Sequence, residues 1–307
     1  MSDQVIQRTE REDFQATSDP AVLESADRGE VNLLSYGQLY ELWERQQWAT
    51  QDIDFSQDRV DWHERIPEDE RFQRMYGLSS FFIGEQKVAE ELGPMMRAAP
   101  TEEMRIFLCT QIADEARHVR FFNRFYDEVG ILEASTLQGR LAETSEHVNP
   151  EFTELFDEML KGRVDRLARN PEDTEVLVEA VTLYHMVIEG MLALTGQHFI
   201  LQYNEDVGTL PGFCDGFNKI ARDEHRHVAF GARFLREMAQ QDGRYGEAIM
   251  RTLGEVAPIA DAVLQPKWYV EGETEVLGAS LEETRAFAMK ALERRLKVIG
   301  LAPAAAA

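Results

Sequence analysis

Cysteine is nearly absent: the 307 residues contain two, Cys109 and Cys214, far apart and without a CxxC. That gives no disulfide framework and no thiolate metal site, and both are read as buried reduced thiols. Basic charge is also short. Against 56 acidic residues stand 32 lysines and arginines, a net charge of −24. This argues against nucleic acid or an anionic membrane surface as a partner. Such a surface suits a high-salt cytoplasm and equally an ordinary acidic protein. No apolar run approaches the ~20 residues of a membrane span. The N-terminus, MSDQVIQRTEREDF, has no apolar stretch of signal-peptide type. The expectation is a cytoplasmic protein. Missing too are a glycine-rich phosphate loop, a Gly/Ser or Pro-rich linker, solenoid repeats and alternating strand patterns.

What is present is helical periodicity over long windows. Ser35 is placed to cap a helix in YGQLYELWERQQWA. A long helix is expected from Pro67 to about Gly93–Pro94, and another from Thr101, in a capping box with Glu103 or its neighbour, to a stop at Gly130. Further helices are expected at 150–169, from Pro171 to about 203, at 211–240, 243–268 and 280–299. Long helices joined by short connections predict an all-α bundle in one domain spanning 1–307, with 1–30 and 301–307 extended or disordered.

One short stretch raises a chemical question. Residues 184–196, YHMVIEGMLALTG, set Glu189 in the middle of an apolar run. An ionised carboxylate is costly there unless a cation, a proton or a metal pairs with it. Two other helices carry Glu-x-x-His: Glu115 and His118 in ADEARHVRFF, Glu224 and His227 in ARDEHRHVAFG. Residues three apart lie one turn apart on one face, so each pair can aim a carboxylate and an imidazole at one spot. A fourth helix should supply a lone inward glutamate. In SSFFIGEQKVAEEL, Glu85 follows an apolar run and precedes Val88, whereas Glu90 and Glu91 lie toward the polar end.

The order Glu, Glu-x-x-His, Glu, Glu-x-x-His on four helices is that of ferritin-like dinuclear carboxylate proteins. It predicts metal ligands at Glu85, Glu115, His118, Glu189, Glu224 and His227, since four carboxylates neutralise two divalent ions and each imidazole caps one of them. Asp114 and Asp223, each directly before a Glu, can hold the imidazoles or be solvated helix charges, and spacing does not choose. Any one motif alone reads more simply as a salt-bridged glutamate or a satisfied core histidine. Six residues in order on four helices do not. His63, His147, His185, His198 and His225 fit no such pattern.

The segments GEQKV, EARH, YHMVIEGMLALTG and DEHRH, with WATQDIDFSQDRVDW before them, resemble the ligand-binding oxidases homologous to the ribonucleotide reductase small subunit. The resemblance runs from about residue 43 to 240. It implies a manganese–iron or di-iron site, dioxygen as oxidant, and an ether bond between the side chains of Val88 and Tyr184. It also implies a homodimer and a long-chain fatty-acid-like ligand whose carboxylate reaches the metals, with Leu192, Leu194, Phe199 and Phe122 available to line an alkyl tunnel. The electron donor is left unknown. On ideal α-helical geometry Tyr184 lies about 140° around from Glu189, so spacing neither supports nor forbids its role.

Rival readings share the ligand order. A reductase small subunit usually keeps a tyrosine four residues after the first motif's histidine, where this chain has Phe122, and needs a docking tail unlike LAPAAAA. A metal-storage cage fits a 307-residue chain poorly. A di-iron hydroxylase or N-oxygenase acting on a soluble substrate is the stronger alternative.

Overall fold

In the computed structural model, residues 33–270 and 275–301 are described; the expected extended ends lie almost wholly outside them. Among the described residues there is no strand, only an isolated bridge between Val276 and Ala279. The chain runs through α1 (Tyr36–Arg45), α2 (Ser56–Val60) with a π turn at Asp61–Arg65, α3 (Glu68–Ala98) and α4 (Glu102–Val129). It continues through α5 (Leu137–Thr144), α6 (150–169, π-helical over Glu154–Leu160) and α7 (Thr174–Val207, π-helical over Thr182–Ala193). The last three are α8 (Pro211–Gln241), α9 (Gly243–Val263) and α10 (Leu281–Ile299).

Several ends follow local chemistry. Ser35 and Ser280 make reciprocal capping boxes with Gln38 and Glu283. Thr101 caps Met104, and Gly130, at φ 77°, ends α4. Other expected boundaries are corrected. The Gly93–Pro94 stop does not occur: α3 runs on to Ala98 with Pro94 inside it, because a proline deletes one hydrogen bond without forbidding the turns on either side. Helix α7 starts at Thr174 rather than Pro171, since the Asp173 side chain caps Val176, and it extends to Val207. Helix α9 ends at Val263, and α5 has no counterpart among the sequence expectations.

Four long helices, α3, α4, α7 and α8, form the central bundle, with α9 and α10 packed on the π segment of α7. By length and composition α7 could cross a membrane, but 94% of its apolar window is buried in the protein. Its apolarity is that of a central core helix. Cys214 is buried, whereas Cys109 is exposed, which corrects the expectation of two buried thiols.

The start of α8 is held by carboxylates from the α2 segment. Asp58 accepts from the Gly212 and Phe213 N–H groups at 2.8 and 2.6 Å, and Asp61 accepts from Leu210 N–H at 2.9 Å. These amides open a helix and have no partner within it, so buried oxygens replace water there. Asp58→Ala is expected to cost about 2 kcal/mol of stability. A thermal midpoint equal to that of the unsubstituted chain would show that the clamp contributes nothing.

Candidate metal centre

The structure gathers the six residues singled out above into one buried cluster. Glu85 comes from α3, Glu115 and His118 from α4, Glu189 from α7, and Glu224 and His227 from α8. They form two overlapping groups: Glu85, Glu115, His118 and Glu224, then Glu115, Glu189, Glu224 and His227. Within each group the donor atoms lie within 4.8 Å of one another. Glu115 and Glu224 belong to both. Glu224 turns Oε1 to His118 and Oε2 to His227, at 3.3 Å each, and Glu115 turns Oε2 and Oε1 the same two ways at 3.4 Å. Each shared carboxylate thus offers one oxygen to either side. Of the competitors, Glu90 is exposed and Glu91 half-buried.

Each imidazole points Nδ1 into this cluster and Nε2 away from it. The outward nitrogens meet the two aspartates in crossed fashion: His118 faces Asp223, and His227 faces Asp114, at 3.3 Å each. Each motif's aspartate therefore holds the other motif's histidine, and the alternative left open by spacing closes in favour of that role. Two indoles complete the arrangement, with Trp43 Nε1 donating to Asp114 at 2.9 Å and Trp48 Nε1 to Asp223 at 2.7 Å. Arg226, itself buried, donates to both aspartates at 2.9 and 2.6 Å, and Arg117 pairs with Asp114. Burial alone would raise the Asp223 carboxyl, but Arg226 and His118 outweigh it and hold it far below the usual range.

Two residues the sequence reading passed over sit beside the cluster. Gln111, one turn before Glu115, donates to Tyr184 Oη at 3.0 Å and Glu189 Oε1 at 2.8 Å, and its Oε1 meets His185 Nε2 at 3.1 Å. His185 is kept neutral by burial, its pKa lowered to about 3. The signal for Gln111 was its position four residues before Glu115 on the same face; His185 offered none. Its seat depends on Gly231, where a Cβ would come within 2.3 Å of the His185 Cβ.

Tyr184 donates from Oη to Glu115 Oε1 at 2.8 Å. The ideal-helix angle to Glu189 left its role undecided, and it does not apply here because residues 182–193 are π-helical. The i→i+5 hydrogen bonding of a π turn brings Glu189 back over Tyr184. Val88 and Tyr184 line one cavity, together with Glu85, Glu115, Glu189 and Glu224. Its volume is about 170 Å³, far above the ~10–15 Å³ that one water needs. Leu192 and Phe199 line it, but Leu194 and Phe122 do not. Phe122 turns instead into an aromatic cluster with Phe81, Phe82, Phe213 and Phe217.

The donor set fits a pair of divalent metals. Glu115 Oε2 and Glu189 Oε2 are buried without a hydrogen-bond partner among the described residues, and hard carboxylate oxygens beside imidazole nitrogens suit manganese and iron. Fold and site define a ferritin-like dinuclear carboxylate protein. The chain belongs to the ribonucleotide reductase small-chain family, whose model matches residues 31–304. Among solved structures it is similar to an R2-like ligand-binding oxidase variant with an anaerobically reconstituted Mn/Fe cofactor. That pair shares 28% identity and a TM-score of 0.76, over 87% of this chain and 94% of the other. A second variant, with an aerobically reconstituted Mn/Fe cofactor, gives 27% identity and a TM-score of 0.73 over 88% and 94%. Fold, site and relatives place the chain among the dinuclear-metal oxidoreductases.

Two outcomes are expected. Burial first, then the Glu224 charge, pushes Glu189 up to about 8, and the surrounding carboxylates hold His118 and His227 well above the usual imidazole range against their own burial. Ligation needs these groups deprotonated, so Mn(II) uptake should release protons and tighten as pH rises from about 6 to 8. Uptake independent of pH would contradict this protonation scheme. Arg226→Met leaves Asp114 and Asp223 without their shared cation, and metal affinity measured by competition with a chelator should fall about 10–100-fold.

Proposed function

We propose that this chain is an oxidase that uses a manganese–iron or di-iron pair and dioxygen for the two-electron oxidation of a C–H bond. Glu85, Glu115, His118, Glu189, Glu224 and His227 would hold the metals, with Glu115 and Glu224 the two carboxylates common to both groups. The observation that carries the reading is the shared cavity: Val88 and Tyr184 face the same space as four of the ligands, and the Tyr184 hydroxyl is hydrogen-bonded to Glu115. The bound metals would supply dioxygen reduction and the power to remove hydrogen from an unactivated carbon.

The protein's part is placement and proton control. Glu115 receives the Tyr184 hydroxyl proton's hydrogen bond, and the Gln111 amide holds the phenol oxygen from the other side. Burial, then the charges of Glu115 and Glu189, keeps the phenol protonated far above its ordinary range. Ether formation removes one hydrogen from a Val88 side-chain carbon and one from the Tyr184 hydroxyl, makes a C–O bond, and passes two electrons to dioxygen. The apolar walls keep water from the reacting carbon.

The external ligand is read as a long-chain fatty acid or a similar molecule. The cavity walls beyond the carboxylates are almost wholly apolar and carry no lysine or arginine, so an acid headgroup has its cations only at the metal end. We read the chain as one helical domain, acting as a cytoplasmic homodimer with a separate electron donor.

The test is peptide mass spectrometry on protein loaded anaerobically with Mn(II) and Fe(II), then exposed to air. A species joining the Val88 and Tyr184 peptides, lighter than their sum by two hydrogens, is expected, and Tyr184→Phe should abolish it without loss of bound metal. Separate peptides in fully loaded protein would move a hydroxylase or N-oxygenase to first place.

A further inference from the structure

The metal-site reading accounts for the inner end of the cavity and leaves the outer end unexplained. Glu85 and Gln73 both line it from α3, so it follows that helix for about 18 Å at the rise of an α-helix. That is the length of an extended long alkyl chain. At the Gln73 end the wall is a tight turn. Val276 N–H donates to Ala279 O at 2.8 Å, and Ala279 N–H to Val276 O at 3.2 Å. The two central residues, Leu277 and Gly278, have φ of 52° and 72°.

Both central positions of such a turn are the ground of glycine and asparagine, and a leucine held there is strained. Leu210 is the one other non-glycine residue with positive φ among the described residues, and its N–H is anchored by Asp61. Among the described residues Leu277 has no such anchor. Its side chain is half-buried and lines the cavity, packed against the aromatic-rich cluster that includes Ile200. The turn is fixed at the outer end of α3: Gly278 lies against the Tyr203 ring, and Tyr203 Oη donates to Glu70, one turn outward of Gln73. A residue of unsuitable backbone preference is thus kept where its side chain closes the far end of the space.

We propose that Leu277 is a specificity-determining residue that sets the length of alkyl tail the cavity accepts. The inference rests on the long-chain-acid reading above. With the headgroup at the metals, the tail runs outward past Gly84 and Gly77 and stops against Leu277. The outer polar lining, Gln73 and Thr284, is uncharged and gives a carboxylate no counter-ion, so the reverse orientation has no anchor. Each further methylene buried tightens binding about fourfold, and that gain ends where the tail meets the leucine.

The experiment titrates metal-loaded full-length protein, its metal content verified, with the saturated acids from decanoic to arachidic, followed by calorimetry and native mass spectrometry. In the unsubstituted chain, affinity should climb about fourfold per methylene and then level off. Leu277→Gly suits the turn's backbone and removes the stop, so the levelling should move to longer acids with decanoic acid unchanged. Leu277→Phe should move it to shorter ones. If all three proteins bind acids with the same levelling point, the gauge assignment is wrong and the ligand reading stands. If the metal-loaded unsubstituted chain binds no acid of the series, the ligand reading fails and takes this assignment with it.

Discussion

The bundle is organised around charge that ought not to be inside it. Glu85, Glu115, Glu189, Glu224, Asp114 and Asp223 are all buried at one level of the helices. Each ionised group taken out of water costs several kcal/mol unless it is compensated. The guanidiniums of Arg226 and Arg117 answer two of the six charges. Four remain, the charge of two divalent cations. With neutral imidazoles as ligands, the inventory closes without further help. The raised proton affinities of His118, His227 and Glu189 express the same imbalance in the protein's own terms.

That constraint explains the layers outside the cluster. An imidazole that caps a metal must be held by its far nitrogen, and the holder must be anionic without adding uncompensated charge. The chain solves both at once. Asp114 and Asp223 each reach across to the opposite motif, and one arginine, Arg226, spans the pair. The crossing also ties α4 to α8 by polar contacts at the level of the site, so neither helix can slide without breaking both imidazole supports. Trp43 and Trp48 close the network toward the surface with donors that carry no charge.

Much of this was legible in the sequence, for a definite reason. The cluster comes from residues whose spacing is one α-helical turn, and Glu189 declares itself by standing alone among apolar neighbours. What was not legible depends on departures from α geometry or on contacts between helices. Spacing left the place of Tyr184 undecided because an ideal helix was assumed where the chain adopts π turns. Gln111 and His185 act through each other across α4 and α7, and the close approach of α7 to α8 that seats His185 is permitted by Gly231, which no periodicity reveals. Phe122 shares the inward face of α4, yet it faces the aromatic cluster instead of the cavity. Periodicity gives a face, but whether that face meets the cavity or the packed aromatic cluster is a matter of packing.

The two halves of the cluster have the same inventory: one imidazole, one terminal glutamate and two shared carboxylates. Donor count therefore cannot make the two positions different. Their surroundings do. Beside Glu189 stands a fixed donor, the Gln111 amide, whose orientation is set by neutral His185 and which also holds the Tyr184 oxygen. Beside Glu85 there is no such amide among the described residues; its partner is His118 at 3.2 Å. One terminal carboxylate is thus restrained by a neutral hydrogen bond linked to the phenol, while the other answers only to the charges at the site. Any functional asymmetry between the positions has its physical root in α4 and α7, in the Gln111–His185 contact that orients one side of the cluster and leaves the other free to follow its ligands.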